Sequence, residues 1–198
     1  MADVNFNEIV RKTCDGCRIT YGIIHGNETV VLIKSGAGKP CRGSKNKHLK
    51  MAFWLNQQYG YSVICASNPY DCDQTFHIDK KVLCNYVKQQ GFEKFNVYLV
   101  GTSDGADQIL FLAKEIPQTE KLLCINHSAV SFNDLAKKLM QTPKVEKIFV
   151  YGTQDDEVEH ASLLKDENIP NLKIITVEGA NHGFTGMIDE YIALAKLL

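Results

Sequence analysis

Three short segments of the 198-residue chain hold the side chains best suited to chemistry. Gly101-Thr102-Ser103-Asp104-Gly105 places a serine between glycines, directly after the apolar run Asn96-Val97-Tyr98-Leu99-Val100 and before a segment of helical periodicity. On a tight strand-to-helix turn a serine is forced into a strained backbone conformation, and flanking glycines keep side chains clear of the neighbouring strand and helix. The hydroxyl is then held out at the carboxyl edge of a sheet. The alternative is a Gly-Ser loop in which Ser103 only caps the helix. A serine hydroxyl is a weak nucleophile near neutral pH, so covalent chemistry at Ser103 requires a histidine base and an acid to orient it. Tyr151-Gly152-Thr153-Gln154-Asp155-Asp156-Glu157-Val158 supplies an acidic turn after one apolar run, and Val177-Glu178-Gly179-Ala180-Asn181-His182-Gly183-Phe184 supplies a histidine after the next.

In chain order these are Ser, Asp and His, and the sequence resembles the α/β-hydrolase superfamily over essentially its whole length, in the manner of small lidless esterases and dienelactone hydrolases. The resemblance implies Ser103 as nucleophile, His182 as general base and then acid, and Asp155 as the residue that fixes the imidazole. Asp156 is the rival acid. Asp155 is preferred because the family pattern sets the acid three residues after a glycine and three before a valine, here Gly152 and Val158. Acyl transfer also needs donors for the developing oxyanion. The family takes one from the residue after the serine, the Asp104 N–H, and the second from the loop Ser35-Gly36-Ala37-Gly38, where relatives carry His-Gly-x-Gly. The Ala37 N–H is the expected second donor and Gly36 the alternative if the register differs by one. Gly36 and His127 are expected to line the substrate pocket. The implied activity is a serine hydrolase cleaving a small ester or thioester through an acyl-enzyme, of carboxylesterase or thioesterase type. The alternatives are a peptidase or amidase on the same triad, and a non-catalytic hydrolase-fold binding module.

Other charged groups bear on specificity. Asp104 sits beside the nucleophile, where it either attracts a substrate ammonium or turns away as a first-turn helix acid. Arg42, Lys45, Lys47, His48 and Lys50 cluster after the oxyanion loop, a pattern suited to a phosphate-bearing leaving group such as a coenzyme A thioester or to a solvated helix face. A P-loop reading of Gly36-Ala37-Gly38-Lys39 fails because Pro40 stands where Ser or Thr is needed.

The elements that must position these residues alternate. Strands are expected at Thr29–Lys34, Ser62–Ala66, Asn96–Val100, Lys121–Asn126, Lys147–Tyr151 and Leu172–Val177. Helices are expected at Lys45–Tyr59, Asp79–Gln90, Asp104–Glu115, Phe132–Gln141, Val158–Asn168 and Gly186–Leu198. Strand-helix alternation argues for a parallel sheet covered on both faces. Two earlier strands, Glu8–Thr13 and Arg18–Ile24, flank Cys14-Asp15-Gly16-Cys17, a hairpin signal. The expectation is a three-layer α/β-hydrolase sandwich with a mostly parallel eight-stranded sheet, an N-terminal antiparallel hairpin, no cap domain, and residues 1–198 as a single domain. With 22 basic against 23 acidic residues, the field gives no reason to expect nucleic acid. No apolar run approaches a membrane span and the start lacks a signal-peptide pattern, so a cytoplasmic protein with no membrane partner is expected. The expected partner is a small-molecule acyl substrate, and no cofactor or metal is required. Seven scattered cysteines suggest reduced thiols, although Cys14 and Cys17 could face each other across the hairpin.

Overall fold

The computed structural model describes residues 6–12, 16–70, 72, 75–128 and 132–198. Its eight strands are β1 (Asn7–Lys12), β2 (Arg18–Ile24), β3 (Asn27–Lys34), β4 (Tyr61–Ala66), β5 (Asn96–Thr102), β6 (Thr119–Ile125), β7 (Glu146–Gln154) and β8 (Leu172–Asn181). They form one sheet in the order β1-β2-β4-β3-β5-β6-β7-β8. β1 with β2 and β2 with β4 are antiparallel, and every pairing from β4 across to β8 is parallel. The helices are α1 (Lys47–Tyr59), α2 (Phe76–Gln90), α3 (Asp104–Glu115), α4 (Phe132–Met140), α5 (Glu159–Asp166) and α6 (Ile188–Ala193). Among the described residues no further helical layer is inserted above the carboxyl edge of the sheet, in keeping with the expected absence of a cap.

Side chains along a strand alternate between faces, and both faces of the central strands are apolar. Val30 and Leu32 of β3 join Leu83, Leu110, Leu139 and Leu164 from α2 to α5. Val31 and Ile33 face the other way, onto Met51 and Leu55 of α1 and Tyr191 of α6. This two-sided burial explains why the parallel strands read as continuous apolar runs.

Several boundaries differ from expectation. α1 begins at Lys47 because Lys45 and Asn46 adopt left-handed φ of 53° and 60° within a short 3-10 turn. α2 begins three residues early, so Asp79 lies inside the helix and pairs inward with Lys34 at 2.8 Å. The last helix stops at Ala193 and tightens into a 3-10 turn over Leu194–Leu197. The thiol reading is corrected: Cys17 is disulfide-bonded to Cys72, while Cys41, Cys65, Cys84 and Cys124 are free. Antiparallel pairing of β2 with β4 brings this about, since Thr20 and Ser67 exchange hydrogen bonds and the chain before Thr20 runs beside the chain after Ser67. Cys14 and the hairpin residue Asp15 lie outside the described residues. No described helix is long and apolar enough to cross a membrane.

Candidate active site

Ser103 connects β5 to α3 with φ 55° and ψ −129°, a conformation that costs a non-glycine residue on the order of 1–3 kcal/mol. Main-chain bonds hold it there: Ser103 N donates to Ile125 O at 2.9 Å, and Ala106 N donates to Ser103 O at 2.9 Å. The flanking glycines are required by close approach. A Cβ at Gly101 would meet the Ala106 Cα at 2.5 Å, and one at Gly105 would collide with the main-chain oxygens of Lys34 and Ser35. From the β3 loop Gly36 packs on Ser103, where a Cβ would sit 3.2 Å from the serine Cβ.

Asp155 and His182 follow the carboxyl ends of β7 and β8, two strands paired with each other on one side of β6. His182 Nδ1 lies 3.0 and 3.1 Å from the two carboxylate oxygens of Asp155, and its Nε2 lies 2.9 Å from Ser103 Oγ. A carboxylate can only accept, so Nδ1 carries the proton and the Nε2 lone pair faces the serine hydroxyl. Asp155 is buried and also accepts from Glu157 N at 3.2 Å, whereas Asp156 is exposed and takes no part in this chain of bonds. The acid side is therefore buried and the serine side open, with the His182 side chain 47% exposed.

Of the two expected oxyanion donors, Ala37 lines the cleft in front of Ser103, and Asp104 occupies the first position of α3, where a main-chain N–H has no intrahelical acceptor. The Ala37 loop is fixed on both sides: Ser35 N donates to Ala66 O at 3.0 Å and Gly38 N to Asn68 O at 2.6 Å. Beneath it, the buried Lys34 ammonium pairs with Asp79 and donates to Ser67 O at 3.0 Å, and Asp79 accepts from the Tyr21 hydroxyl at 2.6 Å. The Asp104 carboxylate accepts from Asn68 Nδ2 at 2.7 Å, is not among the residues lining the cleft, and so is tied to the neighbouring loop.

The cleft has a volume of about 260 Å³. Gly36 lines it as expected, and His127 does not. His127 is wholly buried, packs its ring at a tilt against Phe149 with centroids 5.7 Å apart, and places Nε2 3.6 Å from Asp107. Its neighbours face the site instead. Ser128 Oγ lies 3.2 Å from Ser103 Oγ, giving that hydroxyl a second polar contact. Asn126 Nδ2 donates to the main-chain oxygens of Asn181 and His182, and its Oδ1 accepts from Gly152 N at 2.8 Å. Sequence reasoning passed over both, as it did Tyr70, which is 76% exposed and lines the cleft. The only signal for Asn126 was a polar residue closing the apolar run Leu122–Ile125.

No protein-family model matches the chain, and no curated protein sequence does. Solved structures do match. Est1E from Butyrivibrio proteoclasticus superimposes with a TM-score of 0.73 at 14% identity, covering 96% of each chain. An alpha-beta serine hydrolase homologue from Coxiella burnetii gives 0.72 at 16% identity, covering 96% of this chain and 95% of its own. Dienelactone hydrolase from Anabaena variabilis gives 0.70 at 14% identity over 97% of this chain and 96% of its own. The strand order with its antiparallel start, the elbow after β5 and these near-complete superpositions make the architecture of this chain the α/β-hydrolase fold.

Proposed function

We propose that the protein is a serine hydrolase that cleaves a small ester or thioester through an acyl-enzyme. The observation that carries this reading is the unbroken line of short contacts from Asp155 through His182 to Ser103, with the serine held at a strained turn. In the reaction Ser103 Oγ attacks the carbonyl carbon as His182 Nε2 takes the hydroxyl proton, and Asp155 holds the imidazolium that results. The carbonyl oxygen becomes an oxyanion that accepts from the Ala37 and Asp104 N–H groups. Collapse expels the alcohol or thiol, which leaves with the proton from His182. Water, deprotonated by the same imidazole, then cleaves the acyl-serine and restores the enzyme. Apart from substrate and water, every group these steps call on belongs to the chain.

The names of the matching structures, a serine hydrolase homologue and a dienelactone hydrolase among them, support the reading. The test is a fluorophosphonate probe, which labels an activated serine whatever the natural substrate, read by intact mass beside Ser103→Ala. One adduct on the wild-type protein and none on the variant is expected. No adduct on folded protein, while a known serine hydrolase labels in parallel, would overturn the assignment.

A further inference from the structure

Among the described residues, the lining of the cleft contains two lysines, Lys39 and Lys47, and no aspartate or glutamate. Lys39 is exposed at the rim. Lys47, the first residue of α1, is only 6% exposed. Its ammonium donates to Gly183 O at 3.1 Å and lies 4.4 Å from the centre of the Tyr191 ring. Neither partner carries a formal charge. An ammonium taken out of water without a counter-charge is unfavourable by several kcal/mol unless other contacts offset it. Burial, and secondarily the Lys39 charge, push the Lys47 ammonium down to about 8, so it is still largely protonated near pH 7.

The chain's other buried lysines are closed off. Lys34 is matched by Asp79 at 2.8 Å, and Lys147 is sealed by the carbonyls of Val145 and Pro170 at 2.8 and 3.0 Å. Neither of these lines the cleft. Among the cations clustered after the oxyanion loop, Arg42 is engaged by Glu8 at 2.6 Å, and burial holds the His48 imidazole down at about 3, so it is neutral. Lys45 and Lys50 do not line the cleft. The positive charge facing the serine therefore comes from Lys47 and Lys39.

We propose that the cleft selects a short ester carrying an anionic oxygen group, carboxylate or phosphate, which the Lys47 and Lys39 ammonium groups bind. The proposal rests on Ser103 as the nucleophile and names the class of substrate it attacks. An anion there supplies a counter-charge that no described residue gives Lys47, and it offsets the repulsion between the two lysines. At about 260 Å³ the cleft falls below the range for drug-sized ligands, so a few-carbon acid fits within it and the body of a coenzyme does not.

The test compares matched ester pairs: 4-nitrophenyl hydrogen adipate with 4-nitrophenyl hexanoate, and 4-acetoxybenzoate or 4-acetoxyphenyl phosphate with 4-acetoxybenzamide. The ratio of kcat/KM, anionic over neutral, is expected to be about 10 or more for at least one pair, as befits a charge-assisted contact. Whether the carboxylate or the phosphate member shows it identifies the anion. Lys47→Met and, separately, Lys39→Met are expected to pull that ratio toward one, and Lys47→Arg to keep it. A ratio near one in the wild type, or a ratio unmoved in both Met variants, overturns the proposal. If Lys47→Met fails to fold, the exposed Lys39 carries the same test.

Binding separates this inference from the catalytic reading. Ser103→Ala protein titrated calorimetrically with monoethyl adipate and with ethyl hexanoate should prefer the anionic ester about 10-fold. That preference in a protein whose wild type hydrolyses nothing and takes no fluorophosphonate would overturn the hydrolase assignment alone. Turnover of both esters without preference in either assay would overturn the anion site alone.

Discussion

The Asn126 carboxamide donates to the main-chain oxygen of His182 at 2.9 Å and accepts from the Gly152 N–H at 2.8 Å, joining the loop that carries the histidine to the strand that carries its acid. Asn126 itself sits at the end of β6 with φ 47° and is wholly buried. It touches no reacting atom, yet its bonds tie together the two segments that carry Asp155 and His182. Asn126→Ala is expected to lower kcat on the order of 10-fold or more with little change in KM. It should also destabilise the fold by about 1–3 kcal/mol, because a buried N–H and two carbonyls lose partners. Steady-state kinetics and denaturant melts of the same preparation check both.

The two neighbouring acids should separate cleanly. Asp155 is buried within 3.0 Å of His182 Nδ1, and Asp156 is exposed. Asp155→Asn replaces an obligate acceptor with a group that stabilises the wrong tautomer, and kcat is expected to fall on the order of 10³- to 10⁴-fold. Asp156→Asn should stay within about twofold of wild type in the same ester assay.

Lys47 links specificity to stability with a definite sign. In the folded protein its ammonium is held at about 8 against an ordinary 10.5. Below pH 8 the unfolded chain carries the charge at no penalty and the folded one carries it at a cost of about 3 kcal/mol. Between pH 8 and 10.5 the unfolded state binds more protons, so this group's penalty fades as pH rises. Lys47→Met is expected to raise the thermal midpoint by a few degrees at pH 7, with the gain closing toward pH 10.5. The lost bond to Gly183 offsets part of that gain. Melting curves at pH 7 and pH 10 check the sign.

The Cys17–Cys72 disulfide closes a loop with a sequence separation of 55. In the chain-entropy view, a closure of that length stabilises by up to about 4 kcal/mol. Reductant, or the double variant Cys17→Ser with Cys72→Ser, should lower the denaturation midpoint by a corresponding amount. The exposed Cys84 serves as the control, since Cys84→Ser should leave the midpoint in place.

Strand positions were legible because buried parallel strands cannot hide: Val30–Ile33 and Leu122–Ile125 are apolar on both faces, and only one class of sheet asks for that. Ser103 and its two glycines were legible because a crowded turn restricts residue type locally. What the sequence obscured was which way the chain faces once a strand ends. In Asn126-His127-Ser128 the histidine drew attention as the most chemically capable residue, yet the left-handed turn at Asn126, just past β6, leaves it in the core beside Phe149 with its two neighbours at the site. The Cys17–Cys72 bond was hidden for a different reason. It depends on β2 pairing with β4 across the sheet, a tertiary fact that no local spacing contains.

The sheet order has a thermal consequence. The serine hangs from β5, which is flanked by β3 and β6, but the histidine hangs from β8, an edge strand paired only with β7 and largely half-exposed. Peeling one edge strand demands far less than melting the sheet. Warming should therefore disarm the serine while seven strands still stand, and the inactivation curve should lie below the far-ultraviolet unfolding curve. The same arrangement sets an order of assembly: on the ribosome the strand that leads into His182 is the last of the eight to emerge.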